Sequence, residues 1–207
     1  MNAKITFQKL LISFAILIAI GVIAFNFFDA GPLAKNKSVK ARLDGLFQEL
    51  NVHKISPPTE SIEINLKDIH GDRVRLSDFK GKIVFLNFWT TWCPTCRVEM
   101  PSMEKLHQRL KDKDFAMVTI NIREPASQVK AFFKEYRLTF TTLLDLTGDV
   151  SAGFSIRSIP STYILDKTGR IIGGVLGPRE WDSKEAIALF EHLADNYVAA
   201  SAMVSAH

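Results

Sequence analysis

Residues 83–101 read IVFLNFWTTWCPTCRVEMP. The run from Ile83 to Phe88 is almost unbroken in its apolar character, which suits a central strand covered on both faces. Four residues, Trp89, Thr90, Thr91 and Trp92, form a short turn. Cys93 then opens a helix over 94–111, in which Val98, Met100, Met103, Leu106 and Leu110 recur at helical spacing. Pro94 falls at the first helical position, where its missing N–H costs nothing. The first backbone N–H groups of a helix lack internal partners and carry partial positive charge. A thiolate placed among them is stabilised, and its pKa falls from roughly 8.5 towards the ~3.5–7.5 range of such sites. Cys96 follows three residues on, on the same helical face and close enough for a disulfide. The expectation is an exposed, activated Cys93 thiolate beside a more buried, resolving Cys96.

Working outward, residues 61–66 alternate through Ile62, Ile64 and Leu66. His70, Gly71 and Asp72 supply a turn, and Val74 and Leu76 alternate again, so a β-hairpin precedes the central strand. Downstream, the patterning predicts a strand over 115–122, a helix over 127–137, a strand over 141–144 and a short helix over 149–154. A hairpin of strands 161–165 and 170–176 follows around the turn Asp166-Lys167-Thr168-Gly169. Asp182 is placed to cap a last helix over 183–198. The order describes an α/β fold, a mixed central sheet with helices on both faces.

Residues 10–28, LLISFAILIAIGVIAFNFF, would span about 28 Å as a helix, close to the ~30 Å hydrocarbon core of a bilayer. Small residues are poorly placed for cleavage, so the stretch reads as a retained membrane anchor. The formal net charge is +4, and much of the excess sits in Lys4, Lys9, Lys35, Lys37, Lys40 and Arg42, which flank this segment. That placement speaks for a membrane and against nucleic acid. Because cations flank both ends, charge alone leaves the orientation open. The expected organisation is an anchor over 1–29, a linker with an amphipathic helix over 30–56, a folded domain over 57–198 and a frayed tail over 199–207.

Cys93 and Cys96 are the only cysteines. A bridge between such close neighbours closes a tiny loop and removes little chain entropy, so it is a poor structural staple. A C-x-x-C pair is also half of a zinc site, but no second pair exists. His53, His70, His107, His192 and His207 form no close histidine pair either. The strand–CxxC–helix setting favours redox chemistry without metal or cofactor. Glu99, one helical turn beyond Cys96, is a candidate acid/base for the thiols, although a solvated helix position is the usual fate of Glu. Trp89 and Trp92 either rim the site or pack in the core. Ile159-Pro160, taken alone, reads as the marker that opens a strand.

The segment from Trp89 to Pro101, with Gly81 to Phe88 before it and Ile159-Pro160 followed by Asp166-Lys167-Thr168-Gly169-Arg170, resembles the active-site signature of the thioredoxin-like TlpA/ResA/CcmG group. The resemblance covers roughly residues 57–198. It implies a thioredoxin fold with an N-terminal β-hairpin and a helix–strand insertion at about 126–147. It also implies a cis peptide at Pro160, a single N-terminal anchor, and a domain on the periplasmic or outer side of the membrane. Cys93, Cys96 and Glu99 are its implied catalytic residues. Trp92, Pro94, Ile159 and Pro160 are its implied contacts to substrate. Members of the group are usually kept reduced by a membrane thiol electron donor and often reduce disulfides in apocytochrome c. Asn87 stands where thioredoxin has a buried Asp, so that acid's role does not carry over, and Glu99 is its implied substitute. A thiol oxidant or isomerase of the same fold, or a copper carrier using the CxxC, remain the alternatives.

Overall fold

The computed structural model describes residues 32–196, with side chains from 38 to 195. The expected anchor over 10–28 and the tail over 199–207 lie outside the described residues, among which no helix is long and apolar enough to cross a membrane.

Helix α1 spans Pro32–Glu49, and the boundary of the main compact unit falls within it, between Arg42 and Leu43. Strands β1 (His53–Lys54), β2 (Asn65–Asp68) and β3 (Arg73–Arg75) follow, and then a 3₁₀ turn, Leu76–Phe79. The redox region comprises β4 (Ile83–Trp89), α2 (Pro94–Leu110) and β5 (Phe115–Ile122). After them come α3 (Ala126–Tyr136), β6 (Thr141–Asp145), α4 (Asp149–Gly153), β7 (Ser161–Leu165), β8 (Ile171–Leu176) and α5 (Lys184–Asn196). The eight strands form one sheet in the order β1-β8-β7-β4-β5-β6-β2-β3. Strands β4, β5 and β6 run parallel, whereas β7 is antiparallel to both β4 and β8. The helix–strand insertion is α3 with β6, close to the expected bounds.

Every residue of β4 is buried, and the period of two assigns its side chains to two cores. Ile83, Phe85 and Trp89 enter a cluster with α2, α3, α5 and the end of α1; Val84, Leu86 and Phe88 enter a second cluster on the opposite face. The 3₁₀ turn and α4 cover that opposite face through Leu76 and Val150. Helices therefore lie on both faces, with the longer ones gathered on one. Asn87 shares the odd-numbered face, so the alternation points its side chain beneath α2.

The N-terminal hairpin forms, but later than its alternation suggests. Ser61 makes only an isolated bridge to Arg170, and β2 starts at Asn65. Ser61 and Ile62 bond instead towards Arg170 and Gly169, while the Asp68 carboxylate accepts the backbone N–H groups of His70, Gly71 and Asp72 and so holds the reversal beyond residue 68. The last helix is capped by the Ser183 hydroxyl, which accepts the Ala186 N–H. Asp182 instead pairs with Lys105 of α2.

The stretch expected as a linker over 30–56 is only partly one. Leu46, Phe47, Leu50 and Val52 are buried in the larger core, and β1 pairs with β8. The amphipathic stripe has a receiver: Gly173 of β8 has no side chain, and Phe47 and Val52 fill that space. A Cβ at Gly173 would come within 2.7 Å of Phe47 and 2.9 Å of Val52. Gly173→Ala is therefore expected to lower stability by about 1–3 kcal/mol, read as an earlier urea midpoint with an unchanged slope. Helix α1 stops where Asn51 adopts a left-handed conformation (φ 51°) and Val52 N–H bonds back to the Phe47 carbonyl.

Candidate active site

The site is built at the junction of β4 and α2. Cys93 is the N-cap of α2, its backbone is extended (φ −77°, ψ 111°), and Pro94 opens the helix. Cys93 and Cys96 are joined in a disulfide. The Cys96 N–H points at the Cys93 sulfur at 3.2 Å, and the Thr95 hydroxyl lies 3.3 Å from the same atom. These two groups are positioned to meet a negative charge on Cys93 once the bond is reduced.

The expectation of an exposed Cys93 is corrected. It retains only 3% of its surface and Cys96 none. In the oxidised form the Cys93 sulfur is turned towards its partner and packs 3.9 Å from the Ile159 carbonyl oxygen. The order of accessibility still has Cys93 outside Cys96. Pro94 and Thr95 beside it are exposed, so an incoming disulfide meets Cys93 first.

Ile159–Pro160, just before β7, is a cis peptide, and the Ile159 carbonyl faces the Cys93 sulfur. Trp92 is 67% exposed beside the cysteines, whereas Trp89 is fully buried against Phe132 and Phe133. The structure thus divides the two tryptophans: Trp92 is available to a partner, and Trp89 is core.

Glu99 is not a solvated helix residue. It is 1% exposed, on the underside of α2. Asn87 Nδ2 donates to one carboxylate oxygen at 2.9 Å. Trp181 Nε1 at 3.0 Å and the Arg179 backbone N–H at 3.3 Å donate to the other. Burial pushes the Glu99 pKa up to about 7, against the lowering effect of the bonds from Trp181, Asn87 and the Arg179 backbone. Asn87 also donates to the Thr162 hydroxyl at 2.9 Å, which locks the amide between β4 and β7. Asn87 thus acts as a neutral clamp on Glu99. The Trp181 indole also packs edge-on against Phe85, with ring centroids 4.7 Å apart. Trp181→Phe would keep that contact and remove one donor to the carboxylate. Side-chain carbon NMR of Glu99 is then expected to show its pKa higher than in the parent; an unchanged value would mean that the indole bond contributes nothing.

A second buried carboxylate holds the turn before Cys93, and no local pattern in the sequence announced it. Glu124 accepts the Thr91 N–H at 2.7 Å, the Thr91 hydroxyl, the Asn121 amide at 2.6 Å and the Gln128 amide at 2.6 Å. These bonds tie residues 90–92 to the end of β5 and the start of α3. Thr162, Trp181 and Arg179 were equally unannounced. Thr162 is brought there by strand register, since its partner across the sheet is Asn87.

The arrangement is a sulfur pair at a helix N-terminus, with a cis-proline loop across it and a buried acid titrating near neutrality beneath it. Such a site exchanges disulfides. Among the described residues, no group of three or more His, Cys, Asp or Glu side chains gathers in a geometry fit for a metal.

Comparison with known proteins agrees. The profile of the AhpC/TSA family matches residues 59–173. The thiol-disulfide oxidoreductase ResA of Bacillus thuringiensis subsp. konkukian is 36% identical over 118 residues, which are 57% of this chain and 68% of that protein. The thioredoxin-like protein YneN of Bacillus subtilis is 46% identical over 112 residues, 53% of this chain and 65% of its own. Among solved structures, StoA from Bacillus subtilis superposes with a TM-score of 0.55 at 27% identity, covering 63% of this chain and 99% of that one. A putative DsbE-type thiol:disulfide interchange protein from Chlorobium tepidum gives 0.58 at 26%, covering 65% and 93%. With the family profile spanning more than half of its length and ResA relatives matched over more than two thirds of their own, the chain belongs to the AhpC/TSA family and, within it, to the ResA-type thioredoxin-like thiol–disulfide oxidoreductases.

Proposed function

We propose that the protein is a membrane-anchored reductase of disulfides in polypeptides outside the cytoplasm, with apocytochrome c as the foremost candidate substrate. The observation that carries the disulfide-exchange reading is the Glu99 site, a buried carboxylate with a pKa of about 7 on the same helix as the inner cysteine, suited to moving the Cys96 proton. The reductive direction rests on the likeness to the ResA-type oxidoreductases.

The Cys93 thiolate attacks one sulfur of a substrate disulfide. A Cys93–substrate disulfide forms, and the other substrate sulfur leaves as a thiolate that takes a proton from water. The Cys96 thiol gives its proton to Glu99 and attacks the Cys93 sulfur. The Cys93–Cys96 bond forms and the second substrate sulfur leaves, also to be protonated. Two electrons have passed to the substrate. A membrane thiol donor returns the pair to the dithiol by the same exchange. The backbone of Ile159 pairs with an extended substrate segment, while Trp92 and Pro94 give it apolar contact.

The stretch over 10–28 supports the anchor, and its ~28 Å length as a helix matches one bilayer crossing. The test is made in the native cells. Acid quenching and alkylation of the full chain should find Cys93 and Cys96 mostly as thiols. A Cys96→Ser chain should capture extracytoplasmic polypeptides that carry paired cysteines. A predominantly oxidised pair would reverse the direction and make the protein an oxidant. Stoichiometric copper on the purified reduced protein, without turnover, would make it a carrier.

A further inference from the structure

Residues of α3, the segment between α3 and β6, and Ile69 and His70 of the β2–β3 turn line an open cleft of about 420 Å³ that includes neither cysteine. Its floor is apolar, with Phe133, Leu138 and Phe140 all buried. Its rim is cationic: Lys130, Lys134 and Arg137 line it and are exposed. Their spacing of four and three places them on one stripe of α3 and its cap, over a length of about 10 Å. Like charges so spaced weaken a helix by a few tenths of a kcal/mol per pair, and among the described residues none of the three forms an ion pair. The acids of α2 and α3 nearest the cleft are otherwise engaged. Glu135 lies 3.9 Å from Arg97, and Glu104 accepts the backbone N–H and hydroxyl of Thr139 together with the Gln108 amide.

We propose that this cleft docks an acidic segment of a partner polypeptide that carries an apolar side chain, engaged apart from the disulfide. Charge complementarity requires an anion, and a row of cations about 10 Å long suits several carboxylates along a chain better than one. The recessed floor adds a place for an aromatic or aliphatic side chain. A flat bilayer surface would meet the cationic rim and leave that floor empty. Phe133 links the cleft to the redox region, because its ring packs 5.9 Å from Trp89, which ends the strand before the CxxC turn.

The test uses the full chain in a neutral detergent and isothermal titration. The probe is an end-blocked acidic hexapeptide built around a Phe–Leu pair; its control is the same peptide with Gln and Asn in place of the acids. The acidic peptide should bind, and the control should bind at least about tenfold more weakly. Lys130→Glu with Lys134→Glu and Arg137→Glu should cost the acidic peptide about tenfold or more, and Lys134→Gln alone a smaller loss. About 1 M salt should weaken binding in the parent chain. Insulin reduction by these variants should be unchanged, which separates failure of the cleft from failure of the redox reading. The proposal is overturned by equal binding of the two peptides, by undiminished binding to the triple variant, or by no binding of the acidic peptide. Binding confined to phosphatidylglycerol vesicles and lost in the triple variant would also overturn it, in favour of a lipid surface.

Discussion

Cys93→Ser is expected to abolish disulfide reduction, and Cys96→Ser to stop it one step later, with substrate covalently attached. The two cysteines share a bond, but the fold gives them different surroundings. Cys93 keeps the last accessible surface, between the exposed Trp92 and Pro94, and has the Cys96 N–H and the Thr95 hydroxyl around its sulfur. Cys96 is sealed beneath it. With Cys93 replaced, no sulfur can reach a bulky substrate, and turnover of insulin by dithiothreitol should fall by on the order of 10³-fold or more. With Cys96 replaced, attack still occurs but the resolving thiol is gone. A Cys93–substrate disulfide should then build up, visible on a non-reducing gel and by intact mass. Accumulation of mixed disulfide in the Cys93→Ser chain instead would overturn the assignment of roles.

Glu99→Gln is expected to slow resolution of the mixed disulfide by about 10²–10⁴-fold, the usual scale for losing a positioned base. It should also remove an inflection from the pH profile. In the parent chain Glu99 titrates at about 7, so resolution should rise as pH passes upward through that value and the carboxylate forms. In the variant the profile should lose this inflection and follow only the thiols. Stability supplies an independent reading. The folded pKa lies above the ordinary carboxyl value of 4.5, so the folded state holds the proton more tightly than the unfolded chain. The stabilisation that results is fully present below pH 4.5 and is lost as pH rises through about 7. It amounts to about 3 kcal/mol, since each tenfold gain in proton affinity is worth ~1.4 kcal/mol. Urea midpoints of the oxidised protein should therefore decline across that window in the parent and stay flatter in Glu99→Gln. The variant should also be destabilised at low pH by about 1–3 kcal/mol, because its amide N–H₂ faces donors from Asn87, Trp181 or Arg179. If the two chains show the same pH dependence in resolution and in urea, Glu99 is not the titrating group.

What could be read from the chain follows from what neighbouring residues impose on one another. The apolar run of β4, the helical spacing after Cys93 and the turn residues at His70–Asp72 and Asp166–Gly169 act over a few positions, and they determined the elements, their order and the place of the CxxC at a strand–helix junction. The contacts that complete the site are not local. Trp181 reaches Glu99 across 82 residues and Thr162 reaches Asn87 across 75; both depend on how β7, β8 and the segment before α5 are stacked on β4 and α2. Only that packing made Glu99 a buried acid instead of a solvated one, sent Trp89 inward and Trp92 outward, and drew Phe47 and Val52 into the space at Gly173. Periodicity states which face a side chain takes; burial, and with it proton affinity, depends on what the rest of the chain lays against that face.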